Sequence, residues 1–144
     1  MNFEQALREL NDYLQSERVI RRGLDYCLGL HRRGEKLSVD GGAEEGGLLA
    51  SLLLNIADEK RDLNRRLTRL RRKGETVRRT ILDETEGLDR RILADLYLYG
   101  ERPLSVAAKL NRDGKYFYRL RNAAIRRYAE ARTRGEEKAA AKEG

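Results

Sequence analysis

Apolar residues fall three and four positions apart along most of this chain, the spacing that keeps one face of a helix buried. Phe3, Leu7, Leu10 and Leu14 open the pattern as a coiled-coil-like stripe. Glu17 interrupts it, and Ile20, Leu24 and Cys27 resume it one step out of phase. The stripe predicts a first helix over 3–31 with a change of packing near residue 17. A second, more regular stripe follows unbroken four-three spacing through Leu49, Leu53, Ile56, Lys60, Leu63, Leu67, Leu70, Gly74, Val77 and Ile81. A continuous helix bearing it is about 50 Å long. Gly74, in the seam, marks a kink, a helix end or a close crossing. An apolar stripe of that length requires a partner in water. The two helices either fold back as an antiparallel hairpin or pair between chains, and the pattern suits both.

Residues 34–47 between them read as a flexible connector, with four of the chain's 13 glycines inside the seven residues GGAEEGG. Glycine-rich loops can cradle phosphate, but Glu44 and Glu45 would repel it and no lysine leads into the next helix. Region 1–84 is therefore expected to be a helical hairpin or oligomerisation element. Glu86, Gly87, Leu88 and Asp89 predict a turn, with Asp89 capping a third helix. That helix carries Arg91, Ile92, Leu93, Leu96 and Tyr97 and ends at Gly100.

Two short apolar patterns then flank a polar turn. Pro103 suits the start of a helix, where its missing N–H would lack a partner anyway. Leu104, Ala107, Ala108 and Leu110 supply one apolar face, and Asn111, Arg112, Asp113 and Gly114 break it. Asp113 is a good N-cap for a following helix that buries Phe117, Leu120, Ala124 and Ile125. Two helices joined by a tight turn, with a small alanine at their crossing, are the layout of a helix-turn-helix. This unit is expected over 88–132. The tail 133–144 is small and charged without periodic apolar positions, and is expected to be disordered.

Composition narrows the fold class to all-α. Of 144 residues 40% are hydrophobic and 38% charged, with one Pro, no Trp and two Phe, enough for helical seams but not for a thick sheet-based core. No apolar run approaches a membrane span, and the opening MNFEQALREL has no signal-peptide pattern. The single cysteine, Cys27, forms no internal disulfide and suits a reducing compartment, so the expected location is the cytoplasm. The net charge of +7 is unevenly spread: residues 88–144 hold 14 basic and 8 acidic side chains, whereas residues 1–47 hold 7 and 9. A basic half on a near-neutral scaffold points to a polyanionic partner.

If the helix after Gly114 enters a major groove, Lys115, Arg119 and Asn122 share one stripe facing the bases. Arginine and lysine suit guanine, and asparagine suits adenine. Tyr116 and Tyr118 either contact DNA or pack on the supporting helix. Lys109, Arg112, Arg121, Arg126 and Arg127 are better placed for phosphates, which need no exact register. The second helix is also basic, through Arg65, Arg66, Arg69, Arg71, Arg72 and Lys73, with Arg78 and Arg79 extending it. A solvated coiled-coil face is the plainer reading there, and a second phosphate-binding surface or an RNA-binding stripe is the alternative. Enzyme chemistry is not expected: no serine–histidine pair, nucleophile elbow or Walker-type loop is present. Cys27 and His31 have metal-ligand spacing but are only two ligands, so no metal or other cofactor is expected.

From Ile92 to about Tyr128 the chain resembles sigma-factor region 4, and especially the ArpU- and RinA-like late transcription regulators of phages and prophages. The residues that carry the likeness are Leu93, Tyr97 and Gly100, then Ala107, Ala108, Lys109 and Leu110, then Asp113 with Phe117, Tyr118, Arg119 and Leu120, then Ala124 and Ile125. Leu96 stands where the family usually has arginine, Ala107 where it has isoleucine and Asp113 where it has serine. The resemblance implies a sequence-specific, promoter-binding regulator of duplex DNA acting beside RNA polymerase in a bacterial host cell, while the long N-terminal stripes are expected to form a homodimer or to meet another protein. Two other readings stay open on the residues themselves. A small terminase subunit for DNA packaging also joins a helix-turn-helix to oligomerising helices, and a helical adaptor would offer its basic surface to an acidic protein.

Overall fold

The computed structural model of the chain describes residues 1–40 and 46–143, and among them every regular element is helical. The long helices are α1 (Phe3–Asp40) and α2 (Gly46–Glu84). Helix α3 (Gly87–Leu93) runs on into a π-helical segment, Ala94–Leu98. Helices α4 (Pro103–Lys109) and α5 (Gly114–Glu143) follow. The chain divides into two compact units, and both long helices contribute to each.

The hairpin unit is Ser16–Lys73. Its two helices run antiparallel within one chain: Gly34 of α1 lies against Ile56 of α2, and Gly23 against Leu67. Every position of the α2 stripe from Leu49 to Leu70 is buried or half-buried, as its four-three spacing predicts. The α1 seam differs by one step from the sequence reading. It runs through Ile20, Gly23, Cys27, Leu30, Gly34 and Leu37, while Leu24 points outward at 43% exposure. The reason is steric. A Cβ on Gly23 would come within 2.7 Å of a Leu67 methyl, so the backbones meet where there is no side chain. Gly34 is likewise a seam position rather than the start of a loop, and α1 continues to Asp40. At its other end Gly46 and Gly47 already belong to α2, and residues 41–45 of the expected connector, with Glu44 and Glu45, lie outside the described residues.

The helix-turn-helix unit is Met1–Gln15 together with Gly74–Gly144. It is larger than the expected 88–132, because the ends of both long helices build its core. Ala6, Leu10 and Tyr13 of α1 and Val77 and Ile81 of α2 pack in one cluster with Ile92, Leu93, Tyr97, Phe117, Ile125 and Tyr128. Gly74 admits the Tyr13 ring, whose Cε2 lies 2.6 Å from where a Cβ would stand. Thr85 closes α2 by donating its hydroxyl to the Ile81 carbonyl.

The turn into α3 departs from the sequence reading. Glu86 occupies the N-cap in extended backbone without a side-chain bond, and Gly87 follows at φ +55°. Asp89 sits in the first turn and accepts both its contacts from Arg127, at 2.7 Å. Beyond Ala94 the helix widens: the Tyr99 N–H reaches the Ala94 carbonyl at 2.9 Å, a five-residue step. That wider turn keeps Ile92, Leu93, Ala94, Leu96 and Tyr97 buried together, and Gly100 ends it at φ +67°.

The expected disordered tail is helical. Helix α5 continues to Glu143, with residues 134–143 exposed. Alanine, glutamate and lysine are strong helix formers, and local propensity continues the helix where no apolar periodicity exists.

Candidate nucleic-acid interface

Helix α4, the turn and α5 form a helix-turn-helix whose backbone bonds account for its tightness. The Leu110 N–H is shared between the Val106 and Ala107 carbonyls, both at 3.2 Å. Asn111 then takes the left-handed conformation at φ 53°, a place asparagine tolerates better than most residues. This lets the Arg112 N–H return to the Ala107 carbonyl at 3.0 Å. Asp113 caps α5 as the sequence predicts: its Oδ1 accepts the Tyr116 N–H at 2.8 Å. The buried side of α4 keeps Ala107 and half-buried Leu110 of the predicted face but adds Val106, whereas Ala108 is exposed and Leu104 is 73% exposed. The buried side of α5 agrees with prediction at Phe117, Ala124 and Ile125, and Leu120 is half-buried.

The opposite side of α5 presents Lys115 and Arg119, both exposed and, among the described residues, without an acidic partner. At about 100° per residue, Asn122 and Arg126 continue this stripe. Asn122 is half-buried, and its Oδ1 accepts from Arg121 at 2.9 Å. Arg126 is exposed and lies over the Phe3 ring at 5.6 Å, which places the start of α1 beside the stripe.

Two tyrosine–arginine stacks flank it: Arg112 over Tyr116 at 5.0 Å and Arg121 over Tyr118 at 4.9 Å. Both tyrosines are about two-fifths exposed, so they serve packing and surface at once. Two predicted phosphate contacts are engaged elsewhere. Lys109 Nζ contacts both carboxylate oxygens of Glu101, at 2.6 and 2.8 Å, and Arg127 holds Asp89. Arg102, the exposed N-cap of α4, was not singled out by sequence, although its place before Pro103 was the available signal.

The scaffold behind the stripe is fixed by a polar network that sequence spacing could not reveal. Glu9 of α1 accepts from Tyr128 Oη at 2.7 Å and from Arg132 Nη2 at 2.8 Å. Burial alone would raise the Glu9 carboxyl, but the Arg132 and Tyr128 hydrogen bonds and the Arg132 charge outweigh it, and its pKa lies below 4.5. Burial, then the bond to Glu9, pushes the Tyr128 hydroxyl well above its ordinary range, so it remains a donor.

Among the described residues no three histidine, cysteine or acidic side chains gather as a metal site, and no helix is long and apolar enough to cross a membrane. His31 instead contacts Lys60 at 3.3 Å and Glu35 at 2.9 Å. No family model, curated protein or solved structure matches this chain. The likeness to region 4 therefore rests on the residues quoted above. At the three departures from that pattern the residues have local uses: Leu96 and Ala107 are buried in the core, and Asp113 caps α5.

Proposed function

We propose that the chain is a sequence-specific DNA-binding transcription regulator that reads a promoter with α5. The observation that carries this reading is the stripe of Lys115 and Arg119 on the exposed side of a capped helix. It is unneutralised among the described residues and flanked by two arginine-stacked tyrosines. Such side chains suit guanine edges, while Arg112, Arg121 and Arg126 suit phosphates. Lys109 is a lesser contributor, because Glu101 already holds it. The likeness to phage late regulators extends the reading to an activator beside RNA polymerase in the cytoplasm of a bacterial host. A homodimer belongs to the same reading, with Leu24 and Leu28, exposed on one flank of α1, as the apolar surface for a second copy.

The test is fluorescence anisotropy across a salt series, with a fragment from beside the gene's own operon and a scrambled duplex. Wild type should show a steep salt slope and prefer the native fragment. Arg119→Ala should cost about 10-fold or more on that fragment and erase the preference. Absence of binding at low salt would overturn the reading.

A further inference from the structure

The hairpin unit carries a charge pattern that a solvated helix face does not need. Residues 63–73 contain Arg65, Arg66, Arg69, Arg71, Arg72 and Lys73 and no acid. At about 100° per residue, Arg61, Arg65, Arg69 and Arg72 share the face of α2 opposite its apolar seam. With Asn64 and Thr68 they line an open trough of about 570 Å³. Arg61 pairs with Asp58 at 2.9 Å and Arg65 weakly with Asp62 at 3.7 Å, both pairs well exposed. Arg69 and Arg72 have no acidic partner among the described residues.

Like charges three and four apart destabilise a helix, so a face kept only for solubility interleaves both signs. The neighbouring helix does not restore the balance. Residues 16–28 of α1 hold Arg18, Arg21 and Arg22 against Glu17 and Asp25.

We propose that the Arg65, Arg69 and Arg72 face is a second binding site, one that takes the phosphate backbone of duplex DNA independently of α5. Guanidinium forks bind phosphate oxygens two at a time and need no particular base. From Arg61 to Arg72 the stripe is about 16 Å long, the axial rise of about five base steps. No aromatic side chain lines the trough, so it lacks the stacking platforms by which single strands are held. The choice of DNA over RNA rests on the reading of α5 as a DNA-binding helix.

The experiment compares the full-length protein with the triple variants Arg65→Gln/Arg69→Gln/Arg72→Gln and Arg65→Lys/Arg69→Lys/Arg72→Lys. Salt-dependent binding is read on native, scrambled and duplex-RNA probes, with circular dichroism confirming helicity. The glutamine variant should lower the magnitude of the salt slope on both DNA probes by about two to three and leave the native-to-scrambled ratio intact. The lysine variant should keep most of the slope. An unchanged slope in the glutamine variant overturns the proposal, as does an equal loss in the lysine variant. Tighter binding of wild type to duplex RNA than to scrambled DNA overturns the choice of ligand. If α5 is not the reader, Arg119→Ala leaves the sequence preference untouched while the glutamine variant still loses slope, so the two failures are distinguishable.

Discussion

Tyr128 Oη donates to Glu9 Oε2 at 2.7 Å, and this bond joins α1 to α5 across 119 positions of sequence. Arg132 completes the network from the next turn of α5. Helix α5 is thus tied to the first residues of the chain as well as to its partner helix α4.

The network makes stability pH-dependent in a defined direction. A carboxyl whose folded pKa lies below its ordinary 4.5 stabilises the fold fully above that value, and the contribution disappears as pH falls through the folded pKa. Glu9→Gln should cost about 1–3 kcal/mol near neutral pH, because Arg132 and Tyr128 lose their anionic acceptor. Urea denaturation of both proteins near neutrality and well below the ordinary carboxyl value measures it. The difference between them should shrink in acid; a constant difference would assign the cost to packing alone.

The unit boundary yields a second expectation. Since Ala6, Leu10 and Tyr13 are core residues, a fragment starting at Gly74 should lack cooperative unfolding. Met1–Gln15 joined by a short flexible linker to Gly74–Gly144 should regain it, as the close approach of Tyr13 to Gly74 brings the cut ends near each other. Denaturant unfolding followed by circular dichroism distinguishes the two outcomes. A cooperative transition in the shorter fragment would mean that the α1 contacts are dispensable.

How much of this was legible depended on whether a residue's role is local. The α2 stripe was readable because each seam position from Leu49 to Ile81 carries a bulky side chain or a glycine at regular spacing. The α1 seam was misphased at Leu24 because its true occupant, Gly23, has no side chain to register in an apolar pattern. The face of α4 was legible at Ala107 and Leu110 but not at its start, because seven residues make only two turns, too few to choose between Leu104 and Val106. The Asp113 cap depends on bonds three residues away and was legible; Glu9 depends on partners more than a hundred residues away and was not. For the candidate stripe, residue type and helix face were readable, but the pairing of Lys109 with Glu101 was not.

Two seam glycines should respond unequally to alanine. At Gly74 the new Cβ meets the buried Tyr13 ring at 2.6 and 3.0 Å, and a ring edge cannot fold away. Overpacking of about 1–3 kcal/mol should exceed the helix-propensity gain of about 1 kcal/mol, so Gly74→Ala should destabilise. At Gly23 the closest atom, at 2.7 Å, is a Leu67 methyl, which a rotamer change can move. Gly23→Ala should therefore be near neutral. Thermal melts of the two variants give the order directly, and a larger loss at Gly23 would contradict it.

Asp113 lets fold stability and the proposed DNA binding be tested separately. Its carboxylate caps α5 through the Tyr116 N–H, but it also puts a negative charge at the helix end where phosphate would be welcome. Asp113→Ala should lose about 0.5–2 kcal/mol of stability with the cap. Asp113→Ser keeps an oxygen acceptor and should stay within about 0.5 kcal/mol of wild type, since serine and aspartate cap almost equally well. The serine variant removes the charge alone, so it should bind duplex DNA several-fold more tightly at low salt, with the gain fading as salt screens it. Melting curves and anisotropy titrations on the same samples test both halves. A serine variant with an intact fold and unaltered affinity would place the start of α5 away from phosphate.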